Sequence, residues 1–187
     1  MEDPMDPKRA SHRLSWLLRH GANKTRLPMD AAGWAPVDAV CRTLNLDRAL
    51  LEVVVRTNNK RRLELCDDRV RASQGHSIDG CPVTVEALEA SWRRLDPDHP
   101  TVWHGTRAAL EPTLRTDGIA PMGRTHVHLA ASPESRVGKR ANVGVLIAVE
   151  PACLARHGLG LFESPNGVIL ARRVPPDCLG PSRSPAR

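Results

Sequence analysis

The feature that most constrains this chain is a change in the period of its apolar residues. Ala10, Leu14, Leu17 and Leu18 fall on one helical face, and Leu50, Leu51, Val54 and Val55 repeat at the same spacing further on. Between them, Pro36 can open a second helix running to about Leu44, and Asp47 can cap the third. From Arg62 the period shortens to two. Arg62-Leu-Glu-Leu65 and Arg69-Val-Arg-Ala72 alternate about a Cys66-Asp67-Asp68 turn, which predicts a hairpin. Three helices followed by a hairpin describe a winged helix, over residues 1–73.

The second half of the chain keeps the short period. Val143–Val149 is an apolar run that predicts a buried strand, and Val168–Val174 predicts another after the turn chemistry of Pro165-Asn166-Gly167. Residues 74–100 read as a linking joint, with a short amphipathic helix near Val85–Leu95. Residues 101–180 read as a small sheet-dominated domain, which makes the chain α+β. Pro175-Pro176 is expected to end the ordered part, leaving residues 181–187 as a disordered tail.

Composition narrows the classes of partner. The chain carries a formal net charge of +6 and is rich in arginine, whose planar fork suits phosphate. Aromatic residues are only 3%, so the core must be built from Leu, Val, Ala and Ile. Five well-separated cysteines without a C-x-x-C pair predict neither a disulfide framework nor a zinc site, and they suit a reducing cytoplasm. No apolar run approaches membrane-spanning length.

Two places gather chemistry. The first is Leu18-Arg19-His20-Gly21, where Gly21 suits a helix C-cap; Arg19 and His20 are then either cations at a helix end or part of a site. The second is Trp103–Leu129. It opens on His104-Gly105-Thr106, read as a turn in which Gly105 admits close backbone approach. A short helix follows, begun by Pro112 and stopped by Gly118, and then Arg124 and a strand with His126 and His128 on one face. The His126-x-His128 pair has no third ligand at a usual spacing, so no metal is expected. Phosphate-binding loop, dinucleotide and nucleophile-elbow motifs are absent.

Read together and in order, these motifs resemble a known family. Leu18-Arg19-His20, Gly33-Trp34, Lys60-Arg61-Arg62-Leu63, Arg71-Ala-Ser-Gln74-Gly75-His76-Ser77, His104-Gly105-Thr106, Arg124-Thr-His126-Val-His128-Leu129, Val137-Gly-Lys-Arg140, Asn166-Gly167-Val168 and Val174-Pro175-Pro176 follow the pattern of NAD-dependent RNA 2′-phosphotransferases. The resemblance covers about residues 10–180. It implies an N-terminal winged-helix lobe that holds RNA and a C-terminal ADP-ribosyltransferase-like mixed β lobe that holds NAD, with the active site between them. It also implies a two-step reaction. An internal RNA 2′-phosphate attacks the nicotinamide ribose and expels nicotinamide. The ribose 2″-hydroxyl then takes the phosphate, leaving a 2′-hydroxyl RNA and ADP-ribose 1″,2″-cyclic phosphate.

By the same resemblance, Arg19, His20, Arg62 and Arg124 are catalytic. His104, Gly105, Thr106, Gly118, His128 and Arg140 meet NAD, and Arg71, Gln74 and His76 meet RNA. The residue types suit the task. Several arginines can orient a phosphate dianion and stabilise developing charge, and a histidine can exchange a proton near neutral pH. NAD is consumed and no metal is required; the expected protein is a cytoplasmic monomer. Three positions depart from the family pattern. Leu63 replaces a usual phenylalanine and Ile169 a frequent tryptophan, as packing exchanges, while Ala130 replaces a common serine and removes a hydroxyl. Two rivals share many of these residues: an ADP-ribosyltransferase acting on terminal nucleic-acid phosphates, and a non-catalytic winged-helix RNA-binding protein.

Overall fold

The computed structural model describes residues 6–139 and 143–185. Backbone contacts divide the chain into two units, Met1–Ser91 and Trp92–Arg187. Both helices and antiparallel sheets are present, as the α+β reading requires.

In the first unit, α1 (Pro7–Trp16) starts at Asp6, whose carboxylate accepts from the Arg9 amide. The helix then widens into a π-turn over Leu17–Gly21 and continues as α2 (Ala22–Thr25). The C-cap expected at Gly21 is therefore displaced. Gly21 has φ −113°, and the left-handed cap is Arg26 with φ 54°. The cause is Trp16. A Cβ on Gly21 would lie 2.6 Å from the Trp16 ring, which covers the backbone five residues on, the spacing of a π-turn. Widening weakens roughly one helical hydrogen bond, about 1 kcal/mol. Leu14, Leu17 and Leu18 are fully buried, and at roughly 1.5–3 kcal/mol each they more than offset it.

Next come β1 (Ala35–Pro36), α3 (Val37–Leu44) and α4 (Arg48–Thr57), close to where Pro36, Asp47 and the apolar spacing predict them. The hairpin is β2 (Leu63–Cys66) with β3 (Arg69–Ala72), paired from Leu63↔Ala72 to Cys66↔Arg69. Asp67 makes its turn with φ 51°, and β1 adds to the free edge of β3. Residues 77–84 are bound to this unit by their backbone: Ser77 N donates to Arg19 O, Asn23 N to Gly80 O, and Thr84 N to Ala31 O. Helix α5 (Val85–Ala90) follows.

The second unit is built from short antiparallel strands. They are β4 (Arg93–Arg94), β5 (Val102–Thr106), β6 (Val127–Leu129), β7 (Val145–Val149), β8 (Phe162–Glu163), β9 (Ile169–Ala171) and β10 (Leu179–Arg183). One sheet has the order β10-β7-β5 and the other β4-β8-β9-β6. Reciprocal 2.8 Å backbone bonds between Trp103 and Ala130 join them. All five residues of β7 are buried, as its unbroken apolar run predicts. Helix α6 (Glu111–Asp117) ends at Gly118, and α7 (Pro151–Arg156) follows β7.

Three expectations need correction here. His104-Gly105-Thr106 is strand rather than turn, paired residue for residue with Val145–Ile147. The chain after Pro175-Pro176 keeps regular structure to Arg183, a 3-10 turn (Pro176–Cys178) leading into β10, while residues 186 and 187 of the expected tail lie outside the described residues. Arg115 donates to the carbonyls of Leu179 and Gly180, and the Arg183 guanidinium lies over the Trp103 ring at 4.6 Å, which holds this polar strand in place. Finally, Cys153 and Cys178 form a disulfide. Their separation of 25 residues hides in sequence what α7 and the 3-10 turn bring together. Among the described residues, no helix is long and apolar enough to cross a membrane.

Candidate active site

Arg19 and His20 sit on the π-turn, with Arg19 half-buried and His20 exposed. A π-turn leaves helix carbonyls short of their usual donors, and here residues 77–81 supply them. Ser77 donates to Arg19 O from both its amide (2.9 Å) and its hydroxyl (3.2 Å). Cys81 Sγ lies 3.6 Å from Leu18 O; burial pushes this thiol up to about 11, so it remains a protonated donor at neutral pH. Thr25 closes the turn by donating to Gly21 O at 2.8 Å. The backbone carrying Arg19 and His20 is thus fixed at the carbonyls of Leu18, Arg19 and Gly21.

Arg62 is positioned by the start of the hairpin. Asn58 Oδ1 accepts from the Arg62 amide at 3.0 Å, and Ser73 bonds Arg62 O through its amide and Arg61 O through its hydroxyl. Arg61 takes φ 45°, a left-handed conformation that a non-glycine residue adopts only when its surroundings hold it. That kink separates Arg61 from its neighbour: Arg61 is exposed, while Arg62 is half-buried at the foot of β2.

Arg71, Gln74 and His76 are all buried. Arg71 pairs across the hairpin with Glu64 at 3.1 Å, donates to Ser91 Oγ at 2.8 Å, and stacks over Trp34 at 4.6 Å. His76 packs against Gly33, where φ is 85° and a Cβ would lie 2.8 Å from the imidazole Nε2. The Gly33-Trp34 motif is therefore a platform for Arg71 and His76.

In the second unit, β5 and β6 bring His104, Arg124 and His128 together. Arg124 Nη1 lies 3.3 Å from His128 Nδ1; a guanidinium only donates, so Nδ1 accepts and the proton sits on Nε2. His104 Nδ1 lies 3.4 Å from the His128 carbonyl and so carries its own proton there, leaving Nε2 as an acceptor. His104 and His128 are half-buried and Arg124 is exposed, so the group offers a cation beside two imidazoles with defined tautomers. His126 stands apart: it is buried, with its ring edge-on to Trp92 at 4.9 Å and Nδ1 3.0 Å from Thr125 Oγ1.

Gly105, Thr106 and Gly118 are closely packed. A Cβ on Gly105 would meet Val143 Cγ2 at 2.9 Å and Lys139 Cβ at 3.0 Å, and Thr106 is buried. Gly118 has φ 78°, with the Val174 carbonyl 2.4 Å from where its Cβ would be. Arg140 lies outside the described residues. Gly80, which sequence reading passes over, and Gly138, which the Val137–Arg140 motif carries without a role of its own, have structural parts here. A Cβ on Gly80 would sit 2.6 Å from the His20 carbonyl, and one on Gly138 (φ 79°) would sit 2.0 Å from the Leu129 carbonyl. An isolated glycine in an irregular segment carries no signal that distinguishes it from any other.

Each unit thus presents arginine and histidine side chains on fixed backbone, a donor set suited to phosphate. The comparisons give the family. The model for the RNA 2′-phosphotransferase, Tpt1 / KptA family matches residues 6–173. A protein of Burkholderia lata described as a probable RNA 2′-phosphotransferase is 38% identical over 193 residues, covering 97% of this chain and 94% of its own. Proteins with the same description from Pseudomonas savastanoi (36%; 92% of each chain) and Streptomyces coelicolor (36%; 89% of this chain and 91% of its own) are similar to it as well. The chain belongs to the RNA 2′-phosphotransferase, Tpt1 / KptA family.

Proposed function

We propose that this protein removes an internal 2′-phosphate from RNA, consuming NAD, and that Arg19, His20, Arg62 and Arg124 carry the reaction. The observation that supports this most is the π-turn, whose Leu18 and Arg19 carbonyls accept from Cys81 and Ser77 and so fix the backbone that carries Arg19 and His20. In this reading the first unit is a winged helix and the second an ADP-ribosyltransferase-like lobe, acting in the cytoplasm as a monomer.

The donor set of the second unit fits NAD. His104 and His128 are half-buried imidazoles suited to hydrogen bonds with ribose hydroxyls. Bound NAD would supply an electrophilic ribose carbon and a neighbouring hydroxyl. The protein's own groups do the rest. Arg19, Arg62 and Arg124 orient the RNA phosphate and offset its lost hydration, which needs no base because the dianion is already nucleophilic. The same arginines stabilise charge as the phosphate leaves the RNA. His20, exposed at the end of the π-turn, exchanges the proton in that second step. Arg71, Gln74 and His76, buried as they are, contribute to RNA binding by shaping the surface around them.

Incubation with NAD and an RNA bearing one internal 2′-phosphate tests the reading. The expected products are 2′-hydroxyl RNA, nicotinamide and ADP-ribose 1″,2″-cyclic phosphate. Stable ADP-ribosylation of terminal phosphates, with internal ones untouched, would favour the terminal-phosphate transferase instead. No nicotinamide release with any substrate would leave a binding protein.

A further inference from the structure

A second cluster lies at the junction of α7 with the 3-10 turn before β10, and nothing in the reaction above uses it. Cys153 and His157 are four residues apart, one on α7 and the other at its C-terminal cap, and so share a face. Asp177 and Cys178 come from the 3-10 turn. The donor atoms of these four residues all lie within 4.8 Å of one another. His157 Nε2 is 2.8 Å from Asp177 Oδ2, and Cys153 Sγ is 3.9 Å from the same oxygen. The cysteines are buried and His157 and Asp177 are exposed, so the cluster opens to solvent on one side only.

We propose that the reduced protein binds one zinc ion here, through Cys153, His157, Asp177 and Cys178, and that the Cys153–Cys178 disulfide is the metal-free, oxidised state of the same site. Two sulfurs, an imidazole and a carboxylate are a donor set that favours zinc over magnesium or calcium. Tetrahedral ligation with bonds of about 2.0–2.3 Å places donor atoms roughly 3.3–3.8 Å apart. The donor atoms already lie within 4.8 Å of one another, so ligation needs the two sulfurs and the His157–Asp177 pair to separate and the widest pairs to close by about 1 Å. The chemistry balances. A dithiol reductant delivers two electrons and two protons to the disulfide, becoming a disulfide itself and leaving two thiols. Zinc then displaces the two thiol protons as it binds the thiolates. Bound zinc would tie α7 to the start of β10 as the disulfide does, so this junction stays closed in either redox state.

The full chain, reduced by a dithiol and separated from it without air, should take up one equivalent of cobalt. The signature is a thiolate-to-cobalt charge-transfer band with the intense visible bands of a tetrahedral site, both abolished when zinc displaces the cobalt. The oxidised chain should take up none. His157→Ala keeps both cysteines and should weaken binding about tenfold or more. Cys153→Ser and Cys178→Ser should each remove the charge-transfer intensity, while Cys66→Ser should leave it intact. A reduced chain that unfolds and refolds on adding zinc also supports the site. Overturning results are a folded reduced chain without the charge-transfer band, cobalt binding unchanged by His157→Ala, or an unfolded reduced chain that zinc does not rescue.

Discussion

In the first unit Arg19 and His20 stand on irregular backbone, a π-turn whose carbonyls are bonded from residues 77–81 far along the chain. In the second unit His104 and His128 ride on regular strands, and their orientation comes from sheet register and from each other. The two arrangements differ in what can disturb them. A π-turn depends on backbone atoms that cannot move aside, so small changes beneath it displace the side chains above. A strand tolerates more, because its neighbours are side chains that can adjust.

The largest effect expected from this contrast is at His20 itself. His20→Ala should slow the second step about 10²–10⁴-fold while leaving the first nearly intact. RNA arrested after the first step, heavier by one ADP-ribosyl group, should then accumulate in a gel or mass measurement. Arg19→Ala should slow both steps, since one clamp serves both. Equal loss in both steps for His20→Ala would contradict the division of roles.

Glycine substitutions sharpen the comparison. Gly80→Ala pushes a methyl against the His20 carbonyl, and a misplacement of about 1 Å can cost on the order of 100-fold in turnover. Among the described residues the atoms nearest a Cβ at Gly105 belong to the Val143 and Lys139 side chains, and Gly105→Ala should cost about 1 kcal/mol of stability with a smaller change in kcat than Gly80→Ala. The reverse ranking in kcat would break the argument. Arg71→Ala comes next. It strands Glu64, which is partly exposed, and should destabilise the protein by about 2 kcal/mol in urea melts.

The smallest effect is a pH dependence in the second unit. Hydrogen bonds from Ser182 and then Arg115 hold the Glu111 carboxyl below its usual value of 4.5. A depressed carboxyl contributes stability that is present above its unfolded pKa and is lost as pH falls through the folded one. Urea midpoints should therefore drop below about pH 4.5, and Glu111→Gln should flatten part of that drop.

How much of this was legible follows from which signals are local. The helices over 37–44 and 48–57, the hairpin and β7 were readable because each depends on spacing within a few residues. The family residues were readable as ordered motifs. The π-turn was not, because the Trp16 ring that packs over Gly21 and the bonds from Ser77 and Cys81 are contacts that local spacing does not reveal. Gly21 reads as a cap when neither is in view. The Cys153–Cys178 disulfide and β10 were hidden for the same reason: Arg115, Trp103 and β7 hold them from a distance. His104-Gly105-Thr106 looked like a turn because glycine signals freedom locally, whereas here it signals crowding by Val143 and Lys139.

The central claim is that Arg19, His20, Arg62 and Arg124 move an RNA 2′-phosphate onto NAD-derived ribose. A single-turnover reaction with phosphorus-labelled 2′-phosphate RNA tests it directly. The label should stay on RNA without NAD, and with NAD it should leave as ADP-ribose cyclic phosphate at a rate that His20→Ala reduces at least about 100-fold. Release of the label as inorganic phosphate, or release independent of NAD, would contradict it.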